Sequence, residues 1–111
     1  MSQLKSPEGR AFIHFLLETT SEKQAEQLLR LLTHQQALAV GEIFLNVLQG
    51  TVKLPPAQRP KFKRHRALIR TVSNPCTAQI TRQRLIKSYA PTVLHLLKVV
   101  EPTLRKALSS E

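Results

Sequence analysis

The sequence predicts an all-α protein, a compact bundle of five or six short helices with a basic C-terminal half. Three observations carry that expectation. Leu, Ala, Gln, Lys and Arg are plentiful, while Asp is absent and Gly occurs only three times, which is a helix former's composition. Apolar residues recur at three- and four-residue spacing along most of the chain. Two helix-start signatures, Ser21-Glu22-Lys23-Gln24 and Thr33-His34-Gln35-Gln36, stand 12 residues apart, each with Gln three places after a hydroxyl residue. At 111 residues and 41% hydrophobic content, one domain with one modest core is expected over residues 1–111.

The elements follow in order. Ser6-Pro7-Glu8 opens a first helix, with Ser as N-cap, Pro in the first turn and Glu at the positive end of the dipole. Phe12, Ile13, Leu16 and Leu17 share its inner face, and it should run from Pro7 to about Glu18. Ser21 caps a second helix bearing Ala25, Leu28, Leu29 and Leu32. Thr33 caps a third, with Val40, Ile43, Phe44, Val47 and Leu48 inward and Gly50 as a left-handed terminus. Residues 6–50 thus form a near-neutral helical cap. Three prolines then forbid a regular helix through the connection 51–60, in which Leu54 is the side chain expected to reach the core.

Residues 61–108 make up the basic helices and an apolar C-terminal helix. From Lys61 to Val72, Phe62, His65, Leu68, Ile69 and Val72 fall on one face of a single helix, with Lys63, Arg66 and Arg70 about 130° round from them. Asn74-Pro75 ends it. A further short helix is expected from Thr77 to Lys87, and a last one from Pro91 to about Ala107, kinked or divided near Lys98 by Pro102. Val93, Leu94, Leu96, Leu97, Val99 and Val100 leave that last helix apolar nearly all round. Such a segment is either the central buried helix or a surface for a partner.

Charge is the strongest functional signal. No acidic residue lies between Glu42 and Glu101, an interval holding Lys53, Arg59, Lys61, Lys63, Arg64, Arg66, Arg70, Arg82, Arg84, Lys87 and Lys98. The rest of the chain is nearly neutral, so the net charge of +10 belongs to one contiguous half. Such a field repels itself and is offset by an anionic partner. The expected partner is the backbone of DNA or RNA, met by Arg59, Lys61, Lys63, Arg64, Arg66, Arg70, Arg82, Arg84 and Lys87. Base-specific readout has little support, because Phe62 and Tyr89 are the only aromatics between Lys53 and Lys98.

Other chemistry is poorly represented. A single cysteine, Cys76, excludes an intrachain disulfide, and its loop carries no nucleophile motif. His14, His34, His65 and His95 are scattered, so no metal site is expected. The glutamates form no acid–base pair, and the isolated glycines form no phosphate-binding loop. No enzyme activity and no cofactor are expected. Signal-peptide and transmembrane patterns are missing, which predicts a soluble, intracellular protein. Two other readings remain open. One is an interaction module, a capsid cement or scaffold, in which Val93, Leu96, Leu97, Val100 and Leu104 dock a capsid protein or a second copy. The other is an amphipathic membrane-active segment, since apolar and cationic stretches are neighbours.

The run from Leu32-Thr33 to Gln36, then Glu42-Ile43, Asn46, Leu48, Gly50, Val52 and Leu54, has the form LT-x-x-Q…E-I-x-x-N-x-L-x-G-x-V-x-L. It precedes Pro55-Pro56, the basic segment His65-Arg66-Ala67-Leu68-Ile69-Arg70, and Arg82-Gln83-Arg84-Leu85-Ile86. Over residues 12–108 this order resembles small basic proteins encoded by Maverick/Polinton-type elements and the related adintoviruses. Where those proteins often carry a Gly-Gly pair before the apolar tail, this chain reads Ser88-Tyr89-Ala90-Pro91. The resemblance implies a virion- or element-associated accessory protein that touches packaged DNA, in the virion or in the nucleus of an infected or host cell. It carries over no functional residues.

Overall fold

The computed structural model describes residues 7–50 and 53–109, with the side chains of residues 8–50 and 53–103. Seven α-helices follow one another: α1 Pro7–Glu18, α2 Glu22–Arg30, α3 His34–Leu48, α4 Arg59–Arg64, α5 Arg66–Ser73, α6 Gln79–Ser88 and α7 Ala90–Ser109. One 3₁₀ turn, Pro56–Gln58, feeds directly into α4. No strand occurs among the described residues. The all-α bundle is the fold, with one helix more than expected.

The starts of α2 and α3 are capped by the hydroxyl residues that the sequence singles out. At α3 both halves of the capping box form: the Gln36 amide donates to Thr33 Oγ1 at 3.2 Å, and the Thr33 amide donates to Gln36 Oε1 at 2.9 Å. Two orphan donors of the first turn are thereby satisfied. Thr33 Oγ1 also donates to Glu8 Oε2 at 3.1 Å, tying the start of α1 to the start of α3. At α2 the Gln24 amide donates to Ser21 Oγ at 3.3 Å. Gly50, at φ 81°, ends α3 in the left-handed region that glycine enters without strain. The Ser6 cap lies outside the described residues.

Helix α3 is the hub of the packing, against α1, α5 and α6, while α2 lies on α6 and α7. The near-neutral and basic halves therefore share one core and differ in charge, not in packing. Ile13, Leu16, Leu29, Val40, Ile43, Phe44, Val72 and Ile86 are fully enclosed. Leu54 is buried as expected and pins the proline-rich connection to that core. The tightest approach in the bundle is at Gly41 of α3, where a Cβ would stand 2.7 Å from the Val72 carbonyl oxygen of α5. Only glycine lets the two backbones come so close.

Three expectations need correction. The helix over Lys61 to Val72 is two helices, broken at His65 (φ −112°, ψ 27°). The break lets two short helices meet α3 at separate places. Phe62 of α4 stacks edge-on against Phe44, with ring centroids 6.1 Å apart and planes at 85°, and Val72 of α5 reaches Gly41. Second, of the kink or division expected at Pro102, the division does not occur: α7 is one continuous helix through it. The ring costs the Lys98 carbonyl its amide partner but does not divide the helix.

Third, the apolar C-terminal helix is core. Val93, Leu96 and Val100 are 0% exposed and Leu97 is 1% exposed, so these side chains cannot meet a partner. Burying a helix that is apolar nearly all round removes far more apolar surface from water than one stripe would. The side chain of Leu104 lies outside the described residues.

Candidate nucleic-acid interface

The cationic residues of the basic half distribute over three surfaces and one buried position. Arg59 and Lys63 stand four residues apart on α4, and Arg66 and Arg70 four apart on α5, so each pair lies on one helix face. The single stripe expected on one helix is replaced, across the break at His65, by two short rows on successive helices. Arg59, Lys61, Lys63, Arg64, Arg66, Arg70 and Arg84 are exposed, Lys87 partly so. None of these eight is ion-paired among the described residues, in contrast to Arg30, which meets Glu26 at 3.7 Å, and Lys98, which meets Glu101 at 3.8 Å. They are therefore free to meet an external anion.

Arg59, Lys63 and Arg66 converge on one groove of about 400 Å³ between the end of α3 and the α4–α5 corner. Lys53, which charge counting alone did not single out, joins them there. Val47, Leu48, Leu54, Phe62 and Ile69 supply its apolar lining. The short helix α4, six residues long, is too short to be stable by itself. The Phe62–Phe44 contact holds it, and hence its cations, in place.

The remaining cations lie elsewhere. Arg64 lines a second hollow with His65, Leu68, Leu85 and the half-exposed Tyr89. Arg84 and Lys87 flank a third on α6, beside the exposed Ile80. The structure does not gather all the candidates into one patch.

Arg82 is the residue whose expected role fails. It is 4% exposed. Its Nε donates to the Val72 carbonyl at 2.9 Å, and one Nη donates to the Asn74 carbonyl at 2.7 Å. Burial pushes its pKa down from the usual arginine value, yet that value lies so far above neutrality that the group stays charged. A guanidinium there closes the C-terminal end of α5, where orphan carbonyls and the negative end of the dipole both favour a cation.

The loop after α5 completes that cap. The Asn74 amide donates to the Arg70 carbonyl at 3.0 Å, and Thr77 Oγ1 donates to the Thr71 carbonyl at 2.6 Å. Asn74 Oδ1 accepts from the Cys76 amide at 2.9 Å. Arg82 is thus spent on the fold and is not a phosphate contact.

Among the described residues no three His, Cys, Asp or Glu side chains gather to hold a metal, and no helix is long and apolar enough to cross a membrane. Cys76 is a free, exposed thiol. Comparison of the chain with family profiles, curated proteins and solved structures gives no match.

Proposed function

We propose that this protein is a non-enzymatic, mostly sequence-independent nucleic-acid-binding structural protein, acting on DNA packaged by a virion or mobile element. One observation carries the reading: within the acid-free interval, the cations of α4, α5 and α6 other than the buried Arg82 are exposed or partly so and without acidic partners among the described residues. Arg59, Lys63, Arg66 and Arg70 meet successive phosphates, and Lys61, Arg64, Arg84 and Lys87 add to the field. Phe62 faces the core at 6% exposure and stacks on no base, which favours backbone contact over base readout. The backbone spans 32 × 30 × 27 Å, so one copy covers on the order of ten base pairs at about 3.4 Å each.

The reading is tested by replacing Arg66 and Arg70 together with Gln and measuring affinity for two duplexes of unrelated sequence. Both affinities fall alike if these residues hold phosphates. Unchanged affinity removes the α5 row from the contact surface.

The interaction-module reading loses Val93, Leu96, Leu97 and Val100 as docking side chains, because they are buried. What it retains is the groove beside α4.

A further inference from the structure

We propose that the groove between the end of α3 and the α4–α5 corner docks an acidic peptide segment of a partner protein through one apolar anchor side chain. This goes beyond nucleic-acid binding, because it needs an occupant that a duplex cannot provide. The groove is lined by Val47, Leu48, Leu54, Phe62 and Ile69. Leu48, expected to face inward, is instead left 45% exposed at the last turn of α3. Phosphates and stacked duplex DNA present charge and sugar to a surface, and they leave an apolar floor unfilled. An aliphatic or aromatic side chain fits it and removes that floor from water.

Charge completes the specification. Lys53, Arg59, Lys63 and Arg66 surround the floor, exposed and without ion-pair partners among the described residues. They come from three places in the chain: the connection, α4 and α5. A lipid with one headgroup engages only part of such a rim. A peptide with carboxylates on both sides of its anchor engages all of it. Such a segment shares Arg59, Lys63 and Arg66 with the phosphate-binding rows. Peptide and nucleic acid therefore exclude one another, and an acidic partner would displace the protein from nucleic acid.

The test uses the full chain and a fluorescein-labelled peptide with Glu residues flanking a central Trp, beside a control with Ser for Trp. Fluorescence anisotropy should show the Trp peptide binding on the order of tenfold more tightly than the Ser peptide. Generic duplex DNA should compete it off. Leu48→Gln, which changes no charge, should weaken the Trp peptide about fivefold and leave duplex binding unchanged. Should Leu48→Gln lower the melting temperature, Lys53→Gln serves instead, with about a threefold loss expected.

Equal binding of the two peptides overturns the proposal, as does indifference to both variants. DNA binding without peptide binding overturns it and leaves the nucleic-acid reading standing. Peptide binding without DNA binding supports it and removes that reading. Binding to phosphatidylglycerol vesicles that is weakened by Leu48→Gln, with no peptide binding, assigns the groove to lipid and also overturns it.

Discussion

Replacing Arg82 with Met separates a cation that builds the fold from the cations that serve it. Met keeps most of the apolar stem and donates nothing. The Val72 carbonyl then loses its 2.9 Å donor in a residue that is 0% exposed, and the Asn74 carbonyl loses one at 2.7 Å. Hydrogen bonds to a charged donor contribute about 1.5–3 kcal/mol each, and a buried acceptor left unpaired bears its full desolvation cost. Removing the buried charge recovers part of that, since the guanidinium no longer has to be taken out of water. The net expectation is a loss of about 2–4 kcal/mol.

For a domain of this size about 1 kcal/mol corresponds to about 4 °C, so the melting temperature should fall by roughly 8–16 °C. Circular dichroism at 222 nm during heating, with urea unfolding alongside, reads this directly. Arg82→Lys should fall between, because one ammonium on a flexible stem does not span both carbonyls. Duplex affinity of the folded Met variant should equal that of the parent. Stability within about 0.5 kcal/mol of the parent would show that the α5 cap is not what holds this corner. A large loss of DNA affinity at unchanged stability would restore Arg82 to the contact surface.

Further outcomes follow from the same geometry. Gly41→Ala gains about 1 kcal/mol of helix propensity, yet its Cβ meets the Val72 carbonyl at 2.7 Å, so urea unfolding should show a net loss of about 1–3 kcal/mol, and a net gain would mean that α3 and α5 can part. Leu97→Ala should cost about 2–5 kcal/mol in urea and leave the solution mass unchanged, whereas a change of mass without loss of stability would return the C-terminal helix to the role of docking surface. Phe62→Ala should cost about 3–5 kcal/mol and, by freeing α4, weaken duplex binding as well; DNA affinity that survives this change would mean that Arg59 and Lys63 are not contacts. The Arg66→Gln and Arg70→Gln pair should lower the slope of log affinity against log salt by about 1.8, at about 0.9 per phosphate contact.

Local chemistry made much of the fold legible. Ser21, Thr33 and Gly50 mark helix ends through their own hydrogen bonds and dihedral, so the first three helices lie where the sequence places them. Leu54 was legible because it is the one large apolar residue among prolines. The break at His65 was not, since no Gly or Pro announces it, and it depends on where Phe44 and Gly41 present themselves to α4 and α5.

The cationic site was legible as a charge distribution and less so as a surface. Counting charges places Arg82 with the other cations, although a finer signal was present. Arg82 stands four residues before the buried Ile86 on α6, and ten after the carbonyl at the end of α5 that it caps. The apolar run Val93–Val100 admitted two readings because uniform apolarity does not say whether the covering surface is the chain's own. Here α2 and α6 cover it. The groove with Lys53 could not be read at all, since it joins four segments only in the folded state.

The most direct test of the central claim is the affinity of the intact protein for two generic duplexes of unrelated sequence, followed by anisotropy at several salt concentrations. Four phosphate contacts, through Arg59, Lys63, Arg66 and Arg70, give a slope of about −3.6 and a loss of on the order of a hundredfold between 50 and 200 mM salt, the same for both sequences. Absence of binding at the lowest salt, or binding that ignores salt, would contradict it.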